Sequence, residues 1–318
     1  MKKIITLVLA LILISGCSQQ TTSNSERSVG ILQLMTHDAL DLAREGFIAA
    51  LSDGGYEDIT IDYQNPESDQ SNLTTMAESL INADHDLILA IATTPAQALQ
   101  AVNIDTPILA TAVTDFVESG LVSSNDGGEM IAGVSDGCPM DAQIELLLEF
   151  DPEIKSLGII YTSSEPNSEI QAQQMVEECE KRGIKTIVKT VSDKTMIDDT
   201  LRSFGTDIDA LYIPTDNNIA SAMASVDIFA QEMSLPVLTG ESNACANGGL
   251  LSLGVDYYTI GYQTGEMAVA ILDGTSTIED FGVEMQDEFT VFYNSDTAEK
   301  IGVTLPDSIL ERGTDVAK

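Results

Sequence analysis

Six short polar stretches hold the side chains best placed to do chemistry in this chain. They are Gln33 to Asp41, which carries Gln33, His37 and Leu40; Thr93-Thr94-Pro95-Ala96-Gln97; Thr111 to Asp115, which carries Thr114 and Asp115; Thr162 to Ser168, which carries Ser164, Glu165, Asn167 and Ser168; Thr215-Asp216-Asn217-Asn218; and Gly240-Glu241-Ser242-Asn243. Hydroxyls, amides and carboxylates dominate, and none of the six holds a Lys or Arg. A phosphate, sulfate or dicarboxylate needs fixed positive charge beyond helix N-termini, so these stretches favour a ligand with a cationic or strongly hydrogen-bond-donating group. Thr94-Pro95 reads as an N-cap followed by proline at the first helical position, opening a helix through Ala101. Its free N–H groups and the Thr93 and Thr94 hydroxyls suit a ligand carboxylate as well as plain capping. Asp216 and Glu165 likewise read either as site residues or as a cap and a dipole partner. Glu241 directly follows a strand, where a desolvated carboxylate needs a ligand ammonium or donor. Asp115, Asp136 and Asp256 are further acidic candidates.

Enzyme chemistry finds no support. The two histidines are His37 and His85, and no Ser/His/Asp arrangement, phosphate-cradling glycine loop or metal-ligand spacing accompanies them. Neither a cofactor nor a metal is expected. Of the four cysteines, Cys17 directly follows the leader described below; Cys138 and Cys245 lie in loops able to approach each other, and Cys179 falls in a helical pattern. A Cys138–Cys245 disulfide is therefore a candidate, its pairing unreadable from sequence.

Behind these stretches, short β-branched runs alternate with amphipathic helical patterns, which indicates βαβ units and parallel sheets. The pattern occurs twice. Val29–Leu32, Ile59–Tyr63, Asp86–Ala90 and Pro107–Leu109 are answered by Leu157–Ile160, Thr186–Val191, Asp209–Ile213 and Pro236–Leu238, with helices over Leu40–Ser52 and Glu169–Arg182 in matching places. Three aligned landmarks, Gly30 with Gly158, Asp86 with Asp209 and Pro107 with Pro236, are offset by 123 to 129 residues. The expected fold is α/β, two similar lobes each built on a doubly wound parallel sheet. Ligands of such sheets sit beyond the carboxyl ends of the strands, where the six polar stretches fall.

The chain opens with Lys2-Lys3, an apolar run from Ile4 to Ile14, and Ser15-Gly16-Cys17, the order of an export signal and too short a run to span a membrane. Residues 1–16 read as a signal peptide and residues 17–28 as a polar tether of at most about 35–40 Å. The −37 formal charge becomes −39 once Lys2 and Lys3 leave, with 12 basic against 51 acidic residues. That excess argues against nucleic acid or anionic lipid as partner and is a device of salt-adapted proteins.

Several blocks resemble a known family: Gly30-Ile31-Leu32-Gln33 with His37; Ile61-Asp62-Tyr63-Gln64-Asn65; Ala92-Thr93-Thr94-Pro95-Ala96-Gln97; Thr111-Ala112-Val113-Thr114-Asp115; Ser163 to Ser168; Pro214-Thr215-Asp216-Asn217; and Gly254-Val255-Asp256-Tyr257-Tyr258. From about Val29 to Leu310 the chain resembles the substrate-binding lipoproteins of ABC transporters, of periplasmic-binding-protein type I, in the branch that takes tryptophan and other aromatic amino acids. Leu-Ile-Ser-Gly-Cys resembles a lipobox, which implies a lipid on Cys17 and a body held on the extracytoplasmic face of the cell membrane. The resemblance implies a monomeric clamshell that closes on one amino acid and delivers it to a permease with its ATPase. It also implies a hinge of three crossings, near Ser135, Asp256 and Phe281, dividing the chain into 29–134 with 256–280 and 135–255 with 281–318. The ligand carboxylate is expected at Thr93, Thr94, Ser164 and Ser168 and the ammonium at Asp216 or Glu241, with Asp115 beside them. Leu40, Phe116 and Tyr161 are the apolar neighbours suggested for the side chain. A sensor receptor of the same fold, or a nucleoside or sugar importer component, is the alternative.

Overall fold

The computed structural model describes residues 27–317 except residue 104. The expected signal peptide, the lipid site Cys17 and most of the tether lie outside the described residues.

In the first lobe β1 (Ser28–Gln33), α1 (Asp38–Asp53), β2 (Thr60–Gln64), α2 (Gln70–Asn82), β3 (Leu87–Ile91), α3 (Thr93–Val102), β4 (Ile108–Val113) and β5 (Ile131–Ser135) follow in order. The chain then enters the second lobe with α4 (Met140–Phe150), β6 (Ser156–Thr162), α5 (Pro166–Arg182), β7 (Lys185–Val191), α6 (Ile197–Arg202), β8 (Ala210–Ile213), α7 (Asn217–Ala220), α8 (Met223–Met233), β9 (Val237–Thr239), α9 (Ser242–Ala246) and β10 (Leu251–Gly254). It returns for α10 (Tyr257–Leu272) and β11 (Val283–Glu284) and ends in the second lobe with β12 (Thr290–Tyr293), α11 (Ser295–Ile301), α12 (Asp307–Arg312) and β13 (Thr314–Asp315).

The sheets run β2-β1-β3-β4-β5-β11 and β7-β6-β8-β9-β10-β12-β13, parallel except where β12 meets β10. The repeat read from the sequence thus appears as the same order, β2-β1-β3-β4 and β7-β6-β8-β9. Composition follows position. Central β3 reads Leu-Ile-Leu-Ala-Ile and is buried on both faces, as a strand covered by helices on each side must be, whereas edge β2, Thr-Ile-Asp-Tyr-Gln, keeps exposed residues. Two apolar cores, around Ile31, Phe47 and Leu89 and around Leu32, Leu80 and Leu99, flank the first sheet, and a third around Ile159, Tyr212 and Phe229 fills the second lobe.

Four expectations change. Ser28, placed in the tether, opens β1 against Thr60, and Arg27 pairs with Asp86 at 2.5 Å. The third crossing falls after Glu284 rather than near Phe281, because Val283 and Glu284 extend the first sheet alongside Gly133 and Val134. Phe289, on the crossing segment, packs against the cores of both lobes. Cys138, Cys179 and Cys245 are all free and buried, so the structure holds no Cys138–Cys245 bridge. Finally, α3 begins at Thr93, one residue before the expected Thr94 cap; its N-cap position is Ala92, which bonds no helix N–H through its side chain.

Candidate functional site

Polar stretches of the two lobes meet: His37 Nε2 lies 2.9 Å from Asn217 Oδ1, and Thr36 to Asp38 share one cavity with Glu241 and Asn243. Two strand ends in the first lobe are conformationally costly. Ala92 at the end of β3 has φ 90° and Ala112 within β4 has φ 54°, a region that favours glycine, and such strain persists where surrounding structure enforces it, often at binding sites. At Ala92 the turn delivers Thr93 to the start of α3 with its hydroxyl buried and unpartnered. Thr94 follows, half-buried, in the first turn of α3, where main-chain N–H groups lack intrahelical partners.

Two acids of the site are buried as well. Asp136, just past β5 at the first crossing, and Glu241, just past β9, are each 3% exposed, and Asp136 Oδ1 and Glu241 Oε1 have no hydrogen-bond partner. The other Asp136 oxygen, Oδ2, accepts from the Tyr257 hydroxyl at 2.8 Å. Burial raises the Asp136 carboxyl above its ordinary range. Burial first, then the charge of Asp136, pushes Glu241 up to about 8. Thr114, whose hydroxyl is buried without a hydrogen-bond partner of good geometry, lies against Asp136 and helps hold its charge. A buried carboxylate with a bare oxygen is costly, and a cation delivered from outside removes that cost. Tyr257 was not among the expected site residues. Its signal was its position, a tyrosine directly after the cap Asp256 at a hinge crossing, since a buried phenol seeks a hydrogen-bond partner.

Other candidates serve the scaffold. Asp216 caps α7 and spends both oxygens on its own lobe, accepting from Thr162 N at 2.6 Å, Thr162 Oγ1 at 2.8 Å and Ile219 N at 2.9 Å. It is therefore not placed to meet an ammonium. Asn167 Nδ2 and Ser168 Oγ both donate to the Thr215 carbonyl, at 2.7 and 2.9 Å. Ser135 Oγ donates to the Thr114 carbonyl and accepts from Gly137 N, each at 2.9 Å, bracing the first crossing. Gln33 is fixed by Met35 O, Asp41 and Arg44, and Arg44 in turn pairs with Asp41 at 2.9 Å. Asp115 accepts from Val117 N and Glu118 N, and the exposed Asp256 caps α10 through Thr259 N at 2.7 Å. Ser164 is exposed. Leu40 and Phe116 are core residues and Tyr161 packs against the second-lobe core, so none of the three is a free wall for a side chain.

Glu165 is buried and accepts from Asn217 N and Nδ2 at 2.9 and 2.5 Å and from Asn218 N and Nδ2 at 2.9 and 2.7 Å. Burial and the neighbouring Asp216 raise its carboxyl, while these four donors hold it as an acceptor. Asn217 Oδ1 in turn meets His37 Nε2 at 2.9 Å, joining the second lobe to the first. Beside that contact, at the cleft mouth, a cavity of about 510 Å³ is lined by Thr36, His37, Asp38, Met223, Glu241 and Asn247 among others, with no Lys or Arg. Its volume lies within the range of small-molecule sites. Among the described residues no group of His, Cys, Asp and Glu is arranged to hold a metal ion, and no helix is long and apolar enough to cross a membrane.

Residues 28–317 match the family described as ABC transporter substrate binding protein. A tyrosine-binding protein of Clostridioides difficile is 37% identical over 315 residues, covering 93% of this chain and 91% of that one. The crystal structure of an ABC domain from Streptococcus pneumoniae in complex with L-Trp is 32% identical and superposes with a TM-score of 0.87, covering 92% of this chain and 100% of that one. A ligand-free, open structure of a substrate-binding protein with adhesive properties from Clostridium difficile is 37% identical and scores 0.70, covering 92% and 99%. The chain is thus less like the open, ligand-free structure than the L-Trp complex, although its sequence is nearer the former, and the His37–Asn217 contact agrees with a closed cleft.

Proposed function

The chain belongs to the family of ABC transporter substrate-binding proteins, a binding family and not an enzyme family, and from that premise we propose that it captures a free aromatic amino acid, L-tyrosine first, and delivers it to a membrane permease and its ATPase. The observation that carries the ligand class is the pair Asp136 and Glu241, two buried carboxylates each with a bare oxygen in a cleft whose mouth cavity has no Lys or Arg. An ammonium between them offsets the cost of burying both. The ligand carboxylate then falls to Thr93 and Thr94 at the start of α3, where N–H groups and the positive helix end favour an anion. The tyrosine-binding relative and the neighbour holding L-Trp support the aromatic class. We place the body outside the cytoplasm as a single chain, anchored through a lipid on Cys17 after removal of residues 1–16, on the strength of the leader's sequence.

Isothermal titration against L-tyrosine, L-tryptophan, L-phenylalanine, a nucleoside and a hexose tests the reading. Saturable binding of one or more of the aromatic amino acids, with no heat from the others, is expected. The chain contains no tryptophan, so the emission of bound L-tryptophan is read without protein tryptophan background. Binding of the nucleoside or hexose alone would contradict the proposal.

A further inference from the structure

We propose that His37 is the closing latch of the clamshell: its Nε2–H donates across the cleft to Asn217 Oδ1, an acceptor that Glu165 holds ready in the opposite lobe, and this bond sets how long the closed form lasts. The proposal rests on the cleft being a ligand site and concerns the residues that keep the ligand in rather than those that touch it.

With Glu165 as the ionised acceptor of four donors, the hydrogens along the line are assigned in turn. Glu165 Oε2 receives Asn217 Nδ2 at 2.5 Å, and only the amide nitrogen can donate to a carboxylate, so Oδ1 must be the atom turned toward His37. An amide oxygen donates nothing. At 2.9 Å, His37 therefore carries its proton on Nε2. The acceptor is ready before closure, because the Asn217 main-chain N–H and both Asn218 donors tie the same carboxylate down within the second lobe. The donor is equally well placed. His37 occupies the N-cap position of α1 but makes no capping bond, which leaves the ring for another partner. Its helix is seated firmly, since a Cβ added at Gly46 would lie 2.1 Å from the Tyr258 carbonyl oxygen in α10. The next residue reinforces the same jaw tip, with Asn247 Nδ2 donating to Asp38 Oδ2 at 3.3 Å. Both contacts join the start of α1 to the second lobe and border the mouth cavity, where a ligand would leave.

The test compares wild type, His37→Ala and His37→Gln, with L-tyrosine as probe. Stopped-flow displacement gives the association and dissociation rates, and small-angle X-ray scattering with and without L-tyrosine gives the compactness of each protein. His37→Ala should release L-tyrosine about tenfold faster with association unchanged, the size expected for one well-placed hydrogen bond. It should also be less compact with ligand than wild type. His37→Gln, whose amide restores an N–H donor, should return most of the residence time, an effect that mere packing of the ring would not produce. Dissociation at the wild-type rate in His37→Ala, a loss confined to association, or a glutamine variant as fast as alanine overturns the latch. If wild type binds no aromatic amino acid, the ligand reading fails and the latch is judged on scattering of the ligand-free proteins. A wild type more compact than His37→Ala then upholds it, and equal compactness overturns it.

Discussion

Glu241 and Asp216 are both buried acids after strands of the second lobe, and their neighbours give them opposite roles. Asp216 has three donors from its own lobe and leaves no oxygen for a ligand, whereas Glu241 keeps Oε1 bare and faces Asp136 across the cleft. The sequence marks both positions, since each lies where a parallel strand delivers its next residue to the cleft. It cannot rank them, because capping depends on where Thr162, more than fifty residues away, comes to rest. Glu241→Ala should weaken L-tyrosine binding by about 150- to 5,000-fold, because an ammonium then loses one partner in a buried site at about 3–5 kcal/mol. Asp216→Ala should instead lower the melting temperature, through the loss of a cap and a buried acceptor at about 1–3 kcal/mol. Titration calorimetry paired with thermal melting separates the two. A large affinity loss in Asp216→Ala with an unchanged melting temperature would return the ammonium to Asp216.

At the scale of elements, α10 is carried back onto the first lobe and presents Tyr257 to Asp136. Its seat on α1 depends on absent side chains. A Cβ at Gly261 would lie 2.0 Å from the Ala43 carbonyl oxygen, and one at Gly265 would lie 2.7 Å from that of Phe47, so the helices touch backbone to backbone. Gly261→Ala should force them apart and cost about 1–3 kcal/mol, visible as a lower melting temperature and weaker ligand binding together. An unchanged melting temperature would show that the seat is loose. The repeated strand order was legible because apolar period and turn chemistry are local properties, while the α10 return came only from the family resemblance. The cap of α3 and the third crossing were not legible. The Thr-Pro signal locates a helix start only to within a residue, while the positive φ that puts the cap at Ala92 is imposed by surrounding structure. The two-residue β11 is too short for any alternation to reveal, and only its pairing with β5 keeps Val283 and Glu284 in the first sheet.

The whole molecule is a strongly acidic clamshell. Twelve basic residues set against 51 acidic ones after the leader leave mostly like charges on its surface, and compactness is opposed by their repulsion. Raising NaCl to about 1 M shortens the Debye length to about 3 Å, so the melting temperature should rise with salt. A flat response in differential scanning calorimetry would leave the acidity with no role in stability. Two lobes follow from the sequence repeat, and their shared cleft from the family resemblance. Closure does not, because it depends on pairs such as His37 with Asn217 that lie far apart in the chain. What the cleft recognises rests on one claim, that a ligand ammonium satisfies Asp136 and Glu241. The most direct test is a titration of the wild-type protein with L-tyrosine and with its des-amino analogue, 3-(4-hydroxyphenyl)propionate, which keeps the ring, the hydroxyl and the carboxylate. Tyrosine should bind at least about 150-fold more tightly, the loss set by about 3 kcal/mol for leaving a buried charge unpaired. Equal or tighter binding of the des-amino analogue would contradict it.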